Sequence, residues 1–223
     1  MPGVRAVFSV FVAAVATVAA ATTGCGGRVP LYADPRTAAM TAEAPATYRV
    51  HLETTKGDVV IDATRAWAPL GADRFFNLVR SGFYDGQRIS RVRPGFIAQW
   101  GLHTHPATIM AWKEAYLRDD PPREGNAKGT IAFAFKDPHT RSTQVYVNLV
   151  DNRQLDAQGF APFGVVVQGM PAVEAWYGGY GENAGGGLRA GLQGPIEREG
   201  AAWLDREFPL LDRIIRARIV ARP

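Results

Sequence analysis

Short runs in which apolar and polar residues alternate, divided by turn residues, constrain the fold of this chain most. In TYRVHLET, Tyr48, Val50 and Leu52 alternate with polar residues, as expected of a strand with one buried face. The turn residues KGD follow at 56–58, and the apolar residues VVI come next. Residues 47–64 therefore predict a β-hairpin.

Six further strand-like runs follow the hairpin, and only two segments have helical character. The runs cover residues 87–92, 96–100, 129–135, 144–149, 162–167 and 215–219. Pro69 and Gly82 suit the start and the end of a helix over 69–81. A second helix is predicted over 171–177. Many short strands with two helices favour a mainly β domain, either a closed barrel or a sandwich.

Residues 1–24 have the layout of a secretory signal peptide. Arg5 supplies a basic region, and the alanine-rich apolar segment 6–21 is short for a membrane span. Cys25, the single cysteine, resembles the lipidated cysteine of bacterial lipoproteins, although Thr22 stands where leucine is usual. We therefore predict an extracytoplasmic, periplasmic lipoprotein anchored to the membrane through Cys25. Secretion as a soluble protein is the alternative.

The rest of the chain divides into a tether and one folded domain. Residues 25–46 combine Gly, Ala, Thr and Pro with little periodicity and predict a flexible tether. Residues 47–222 hold all the predicted strands and form the domain. Residues 102–128 interrupt the strand pattern. The glycine-rich residues 178–210 lack a phosphate-loop fingerprint and predict a flexible surface loop.

Charge and composition argue against several classes of function. The net charge of +4 comes from scattered arginines, so no nucleic-acid partner is expected. His103 and His105 have no Cys, Asp or Glu at ligand spacing, so no metal is expected. The sequence contains no Gly-x-Ser-x-Gly nucleophile elbow. A sugar-binding surface built from the five tryptophans remains an alternative.

Ordered blocks of the chain resemble the cyclophilin family. In YDGQRISRVRPGFIAQ, six residues hold the places of the family signature: Arg91, Val92, Pro94, Gly95, Phe96 and Gln99. GTIAFAFKDPHTRSTQVYVNL and LDAQGFAPFGVVVQGM are similar to two later blocks of the family. The resemblance covers residues 47–177 and the last strand.

The resemblance implies a peptidyl-prolyl cis/trans isomerase. Its fold is a closed eight-stranded antiparallel β-barrel capped by two α-helices. The family needs no metal or cofactor, and its partners are proline-containing polypeptides. Together with the export signal, this implies a monomer that assists the folding of exported proteins.

The resemblance also assigns roles to residues of this chain. Arg91 is the catalytic guanidinium, and Ala134 lies under the peptide. Gln99 and Gln144 hydrogen-bond the substrate backbone and help to orient Arg91. Six residues line or back the proline pocket: Phe96, Ile97, Phe133, Tyr146, Leu155 and Phe160.

Several positions depart from the family pattern. Ser90, Trp100 and Phe135 stand where the family has His, Gly and Asn, and Gln154 where it has Trp. These departures favour an alternative function, a cyclophilin-like peptide-binding or chaperone module with weak or no catalysis.

Overall fold

Eight antiparallel strands in one sheet dominate the computed structural model, which describes Gly3, residues 30–185 and residues 193–221. The strands are β1 (Thr47–Thr54), β2 (Gly57–Thr64), β3 (Arg91–Arg93), β4 (Ile97–Trp100), β5 (Thr130–Phe133), β6 (Val145–Asn148), β7 (Pro162–Gln168) and β8 (Ile214–Val220). Their order in the sheet is β3-β4-β6-β5-β7-β2-β1-β8. The mainly β prediction is confirmed.

The predicted hairpin forms the regular half of the sheet. β1 and β2 pair in antiparallel register with Leu52 opposite Val59, and β8 adds to the other side of β1 with Ala217 opposite Leu52. These three side chains are fully buried. The alternation of the sequence thus places one face of each strand in the core, because successive side chains point to opposite sides.

The sheet curls into a half-barrel whose two edge strands are β3 and β8. Just before these strands, Arg88 and Arg213 form an antiparallel bridge. The amide of Ile89 donates to the carbonyl of Asp212 over 2.8 Å, and that of Ile214 donates to Gln87 over 2.9 Å. The two edges thus approach each other at one end.

Five α-helices occur in the described ranges, more than the two that were predicted. They are α1 (Pro69–Arg80), α2 (Pro106–Trp112), α3 (Met170–Glu174), α4 (Gln193–Glu199) and α5 (Ala201–Glu207). α1 and α3 occupy the predicted positions. α1 lays Phe75 against Phe163 of β7, with ring centroids 4.9 Å apart.

A second, smaller apolar core corrects the prediction of a flexible loop over 178–210. Ile196 of α4 and Trp203 and Leu204 of α5 bury their side chains together with Ala184 and Ile109. The prediction was wrong for the described part of this segment because apolar side chains at helical spacing lie beyond its glycine-rich beginning. Residues 186–192 of the predicted loop lie outside the described residues.

Residues 30–46 are packed against the domain, which corrects the tether prediction for this part. Met40 and Ala44 are buried, and the amide of Ala44 donates to Asp73 Oδ1 over 2.8 Å. Trp112 Nε1 donates to the carbonyl of Tyr32 over 2.7 Å. The predicted signal peptide, apart from Gly3, and Cys25 lie outside the described residues. Within the described ranges, no helix is long and apolar enough to cross a membrane.

His103 is an aromatic packing residue. Its ring centroid lies 4.9 Å from that of Phe83 and 5.5 Å from that of Tyr32, and Nδ1 accepts a hydrogen bond from the amide of His105 over 3.0 Å. Burial, and secondarily the neighbouring His105, lower the pKa of His103 to about 4. In the part of the chain that the structure describes, no three metal-ligating side chains come together.

We expect His103 to destabilise the fold as the pH falls. Its pKa is about 4 in the folded protein and about 6.5 in an unfolded chain. Between these two pKa values, the unfolded state binds more protons than the folded state. The stability that the neutral His103 side chain contributes is therefore fully present above about pH 6.5 and is lost as the pH falls towards about 4. The loss is on the order of 3 kcal/mol. Urea unfolding against pH should show it, and His103→Gln should remove it; an identical pH dependence in the variant would contradict the assignment.

Candidate active site

The short hairpin of β3 and β4 places a guanidinium beside the buried amide of Gln99 and the half-buried amide of Gln144. Arg91 and Gln99 are opposite each other in the register, so their side chains lie on the same face. Arg91 Nη1 donates to Gln99 Oε1 over 2.9 Å, and Gln99 Nε2 donates to Gln144 Oε1 over 2.9 Å. This chain of hydrogen bonds orients one cation and two amides, groups that can bind a peptide backbone.

An apolar cluster separate from the main core lies on this face. Gln99 and Ala132 both stand opposite Tyr146, so the three side chains form a row across β4, β6 and β5. The buried members of the cluster are Ile97, Ala132, Tyr146 and Leu155, and its partly buried members are Phe96, Ala134 and Phe160. The guanidinium carbon of Arg91 lies 5.8 Å from the ring centroid of Phe96. A charged donor thus borders an apolar surface, called the recess below, that these seven residues form and that includes the partly exposed rings of Phe96 and Phe160.

Glu182, which the sequence did not point to, also contacts the guanidinium. Its Oε1 accepts a hydrogen bond from Arg91 Nη2 and lies 3.6 Å from Arg93 Nη1. The side chains of Arg91 and Glu182 are only 16% and 23% exposed. No local sequence motif could have predicted this contact, because Glu182 and Arg91 are 91 positions apart in the chain.

A stack of aromatic rings extends the recess on the side of Phe160. Its ring centroid lies 5.7 Å from that of Tyr146, edge to face, and 4.2 Å from that of Phe135. The guanidinium carbon of Arg141 lies 4.5 Å from the centroid of Phe135, and Arg141 is paired with Asp119. The departure at Phe135 therefore adds an aromatic surface next to the recess.

A family model described as cyclophilin type peptidyl-prolyl cis-trans isomerase/CLD matches residues 49–184. The chain belongs to the cyclophilin family. A peptidyl-prolyl cis-trans isomerase of Acinetobacter baylyi is 30% identical over 140 residues, which cover 60% of this chain and 74% of that protein. Isomerase B of Escherichia coli is 32% identical over 133 residues, which cover 56% of this chain and 81% of that protein. The solved structure of a Cryptosporidium parvum cyclophilin aligns with this chain at a TM-score of 0.56 and 19% sequence identity. The alignment covers 79% of this chain and 99% of that protein.

This cyclophilin brings together nearly all the residues that the resemblance assigned to the site. The exception is Phe133, which lies in the main core with its ring centroid 5.5 Å from that of Phe163. Its neighbour Ala132 belongs to the recess instead. The alternation of β5 could have indicated this, since adjacent residues of a strand face opposite sides.

Two of the departures in this cyclophilin are buried, and one of them lies in the main core. Trp100 is fully buried in the main core, where its ring meets that of Trp176 at 5.9 Å. Ser90 is buried and immediately precedes β3. The site face therefore keeps its guanidinium, both glutamines and an apolar recess.

A buried polar network supports the floor of the recess in this cyclophilin. Tyr146 Oη donates to Asn126 Oδ1 over 2.8 Å. Asn126 Nδ2 donates to Asp156 Oδ1 over 2.8 Å and to the carbonyl of Phe160 over 3.0 Å. Burial raises the pKa of Tyr146 far above its ordinary value, so the phenol remains a donor. The network fixes the loop that carries Phe160.

Tyr146→Phe is expected to lower the free energy of unfolding by about 1 kcal/mol, the net value of one buried hydrogen bond. The loss stays small because Asn126 Oδ1 keeps a second donor, Asn148 Nδ2, at 3.2 Å. Urea denaturation of both proteins measures the difference. Tyr84→Phe is a matched control, since Tyr84 Oη donates to the carbonyl of Thr143 at 2.9 Å in the main core. A Tyr146→Phe variant as stable as the wild type would contradict a role for this bond.

Proposed function

We propose that this cyclophilin accelerates cis/trans exchange of X–Pro bonds in polypeptides. The observation that carries the proposal is the guanidinium of Arg91, bonded to Gln99 beside the apolar recess. Family membership supports the same activity. A proline ring suits the recess lined by Phe96, Ile97 and Tyr146, because it is apolar and has no N–H to satisfy.

The chemistry requires the residues that meet at this site. Exchange of an X–Pro bond is slow because the resonance of the amide must be broken, at a barrier of about 18–20 kcal/mol. In the twisted amide, the prolyl nitrogen is pyramidal and carries a lone pair. Arg91 remains charged at any physiological pH and can donate to that nitrogen, while Gln99 and Gln144 hold the neighbouring backbone. A donor placed in advance stabilises the twisted state without reorganisation.

We further propose that the protein acts outside the cytoplasm on exported polypeptides. The signal-like residues 1–24 support export, and Cys25 supports a lipid anchor in the membrane. We also propose that the domain acts as a monomer and that the half-barrel closes. The hydrogen bonds between residues 87–89 and 212–214 favour this closure.

A catalytically silent peptide-binding module is the second candidate, and the contact between Glu182 and Arg91 favours it. A carboxylate on the guanidinium competes with a substrate for the same donors. In this case the recess and the two glutamines bind peptide, and exchange is not accelerated.

An NMR exchange experiment on an Ala-Pro peptide separates the two candidates. This dipeptide was present in a solved Cryptosporidium parvum cyclophilin, 18% identical and with a TM-score of 0.55. Acceleration of exchange by the full chain would support the isomerase. Peptide binding without acceleration, by a chain that circular dichroism shows to be folded, would overturn the isomerase in favour of the binding module.

A further inference from the structure

Glu182 is held in place from two directions. On one side, Gly178 packs so closely against the hairpin of β3 and β4 that an added Cβ would lie 3.2 Å from Pro94 and 3.5 Å from Val92. On the other side, Ala184 is fully buried in the second core formed with α4 and α5. The segment between these two anchors therefore has a defined path across the edge of the site.

The two amino groups of the Arg91 guanidinium have different partners. Nη1 donates to Gln99, and Nη2 donates to Glu182. The bond through Nη1 and the bond through Nη2 together restrain the plane of the guanidinium from two of its corners. Charge-assisted hydrogen bonds to a carboxylate are about twice as strong as neutral ones, and this pair is largely shielded from water.

Arg93 helps to hold the carboxylate. Its Nη1 lies 3.6 Å from Glu182 Oε1, and its side chain is 55% exposed. Glu182 thus lies between one arginine turned to the site and another turned to solvent. α4 and α5, whose core anchors the segment, follow the part of the chain that the family model matches.

We propose that Glu182 is a positioning residue that fixes the guanidinium of Arg91 in the orientation required for exchange. The proposal rests on the isomerase activity proposed above and assigns the segment around Glu182 to the site. Catalytic groups that must point at a developing lone pair lose much of their effect when their orientation is not fixed in advance.

The test compares Glu182→Ala and Glu182→Gln with the wild type in the NMR exchange assay. We expect Glu182→Ala to lower kcat/KM about tenfold, mainly through kcat, with peptide affinity nearly unchanged. Glu182→Gln keeps an acceptor oxygen and should recover part of the loss. In an Arg91→Ala background, Glu182→Ala should cause no further loss, because Glu182 acts only through Arg91.

The orientation of the guanidinium is measured independently of turnover. ¹⁵N NMR of arginine side chains should show slowed rotation of the Arg91 amino groups in the wild type and faster rotation in Glu182→Ala. Glu199→Ala is the matched control, since Glu199 pairs with Arg206 on the same C-terminal segment and both are substantially exposed. This control should retain both the activity and the NMR signature of the wild type.

The outcomes separate this role from the proposed function. A wild-type chain without activity would overturn both. An active wild type with unchanged or raised kcat/KM in Glu182→Ala would overturn only the positioning role, and a raised value would mean that the carboxylate restrains catalysis. A tenfold loss that is absent in the Arg91→Ala background would support it.

Discussion

Arg91→Ala is expected to lower kcat/KM for X–Pro exchange by about 100-fold or more, the usual effect of removing one preorganised donor from a reacting centre. Arg91 is the cation that Gln99 aligns beside the apolar recess, so its loss leaves the twisted amide without a charged donor. Peptide affinity should fall much less, because Gln99, Gln144 and the recess remain. The measurement pairs the NMR exchange assay with peptide titration.

A matched arginine variant controls for the loss of charge. Arg49 of β1 pairs with Asp62 at 2.7 Å, and four strands lie between β1 and β4 in the sheet. Arg49→Ala should leave exchange unchanged, with at most a small loss of stability. Equal activity in Arg91→Ala and the wild type would contradict the proposed role of the guanidinium.

Phe163→Ala is expected to lower the free energy of unfolding by about 3–5 kcal/mol, the range for removing a buried phenylalanine. Phe163 of β7 is fully buried between Phe75 of α1 and Phe133 of β5, at ring-centroid distances of 4.9 and 5.5 Å. It therefore joins the helix to the sheet, and its truncation leaves a cavity at that junction. Such a loss is a large share of the roughly 5–15 kcal/mol that stabilises a typical domain.

Denaturant unfolding measures this loss. Leu210→Ala is the control, because Leu210 is 58% exposed and its truncation should change stability by less than about 0.5 kcal/mol. A loss in Phe163→Ala no larger than in the control would show that the helix is not anchored through this ring.

Much of the sheet was predictable because its signals are local. The alternation in TYRVHLET and the KGD turn predicted β1 and β2, and the structure confirms both. Pro69 at the first turn of α1 likewise marked the start of that helix. The helices α4 and α5 were not predicted, because both are short and follow a glycine-rich stretch, and their stability comes from burial in the second core.

The sequence by itself determined which chemical groups the site contains, since Arg91, Gln99 and the apolar residues of the recess occur in recognisable blocks. Only the tertiary structure decided which side chains share that face. The register of β5 against β6 places the side chain of Ala132 in the recess and that of Phe133 in the main core, because adjacent residues of a strand point to opposite faces of the sheet. It also decided that Glu182 meets Arg91, since that contact depends on the packing of a distant segment and no local pattern encodes it.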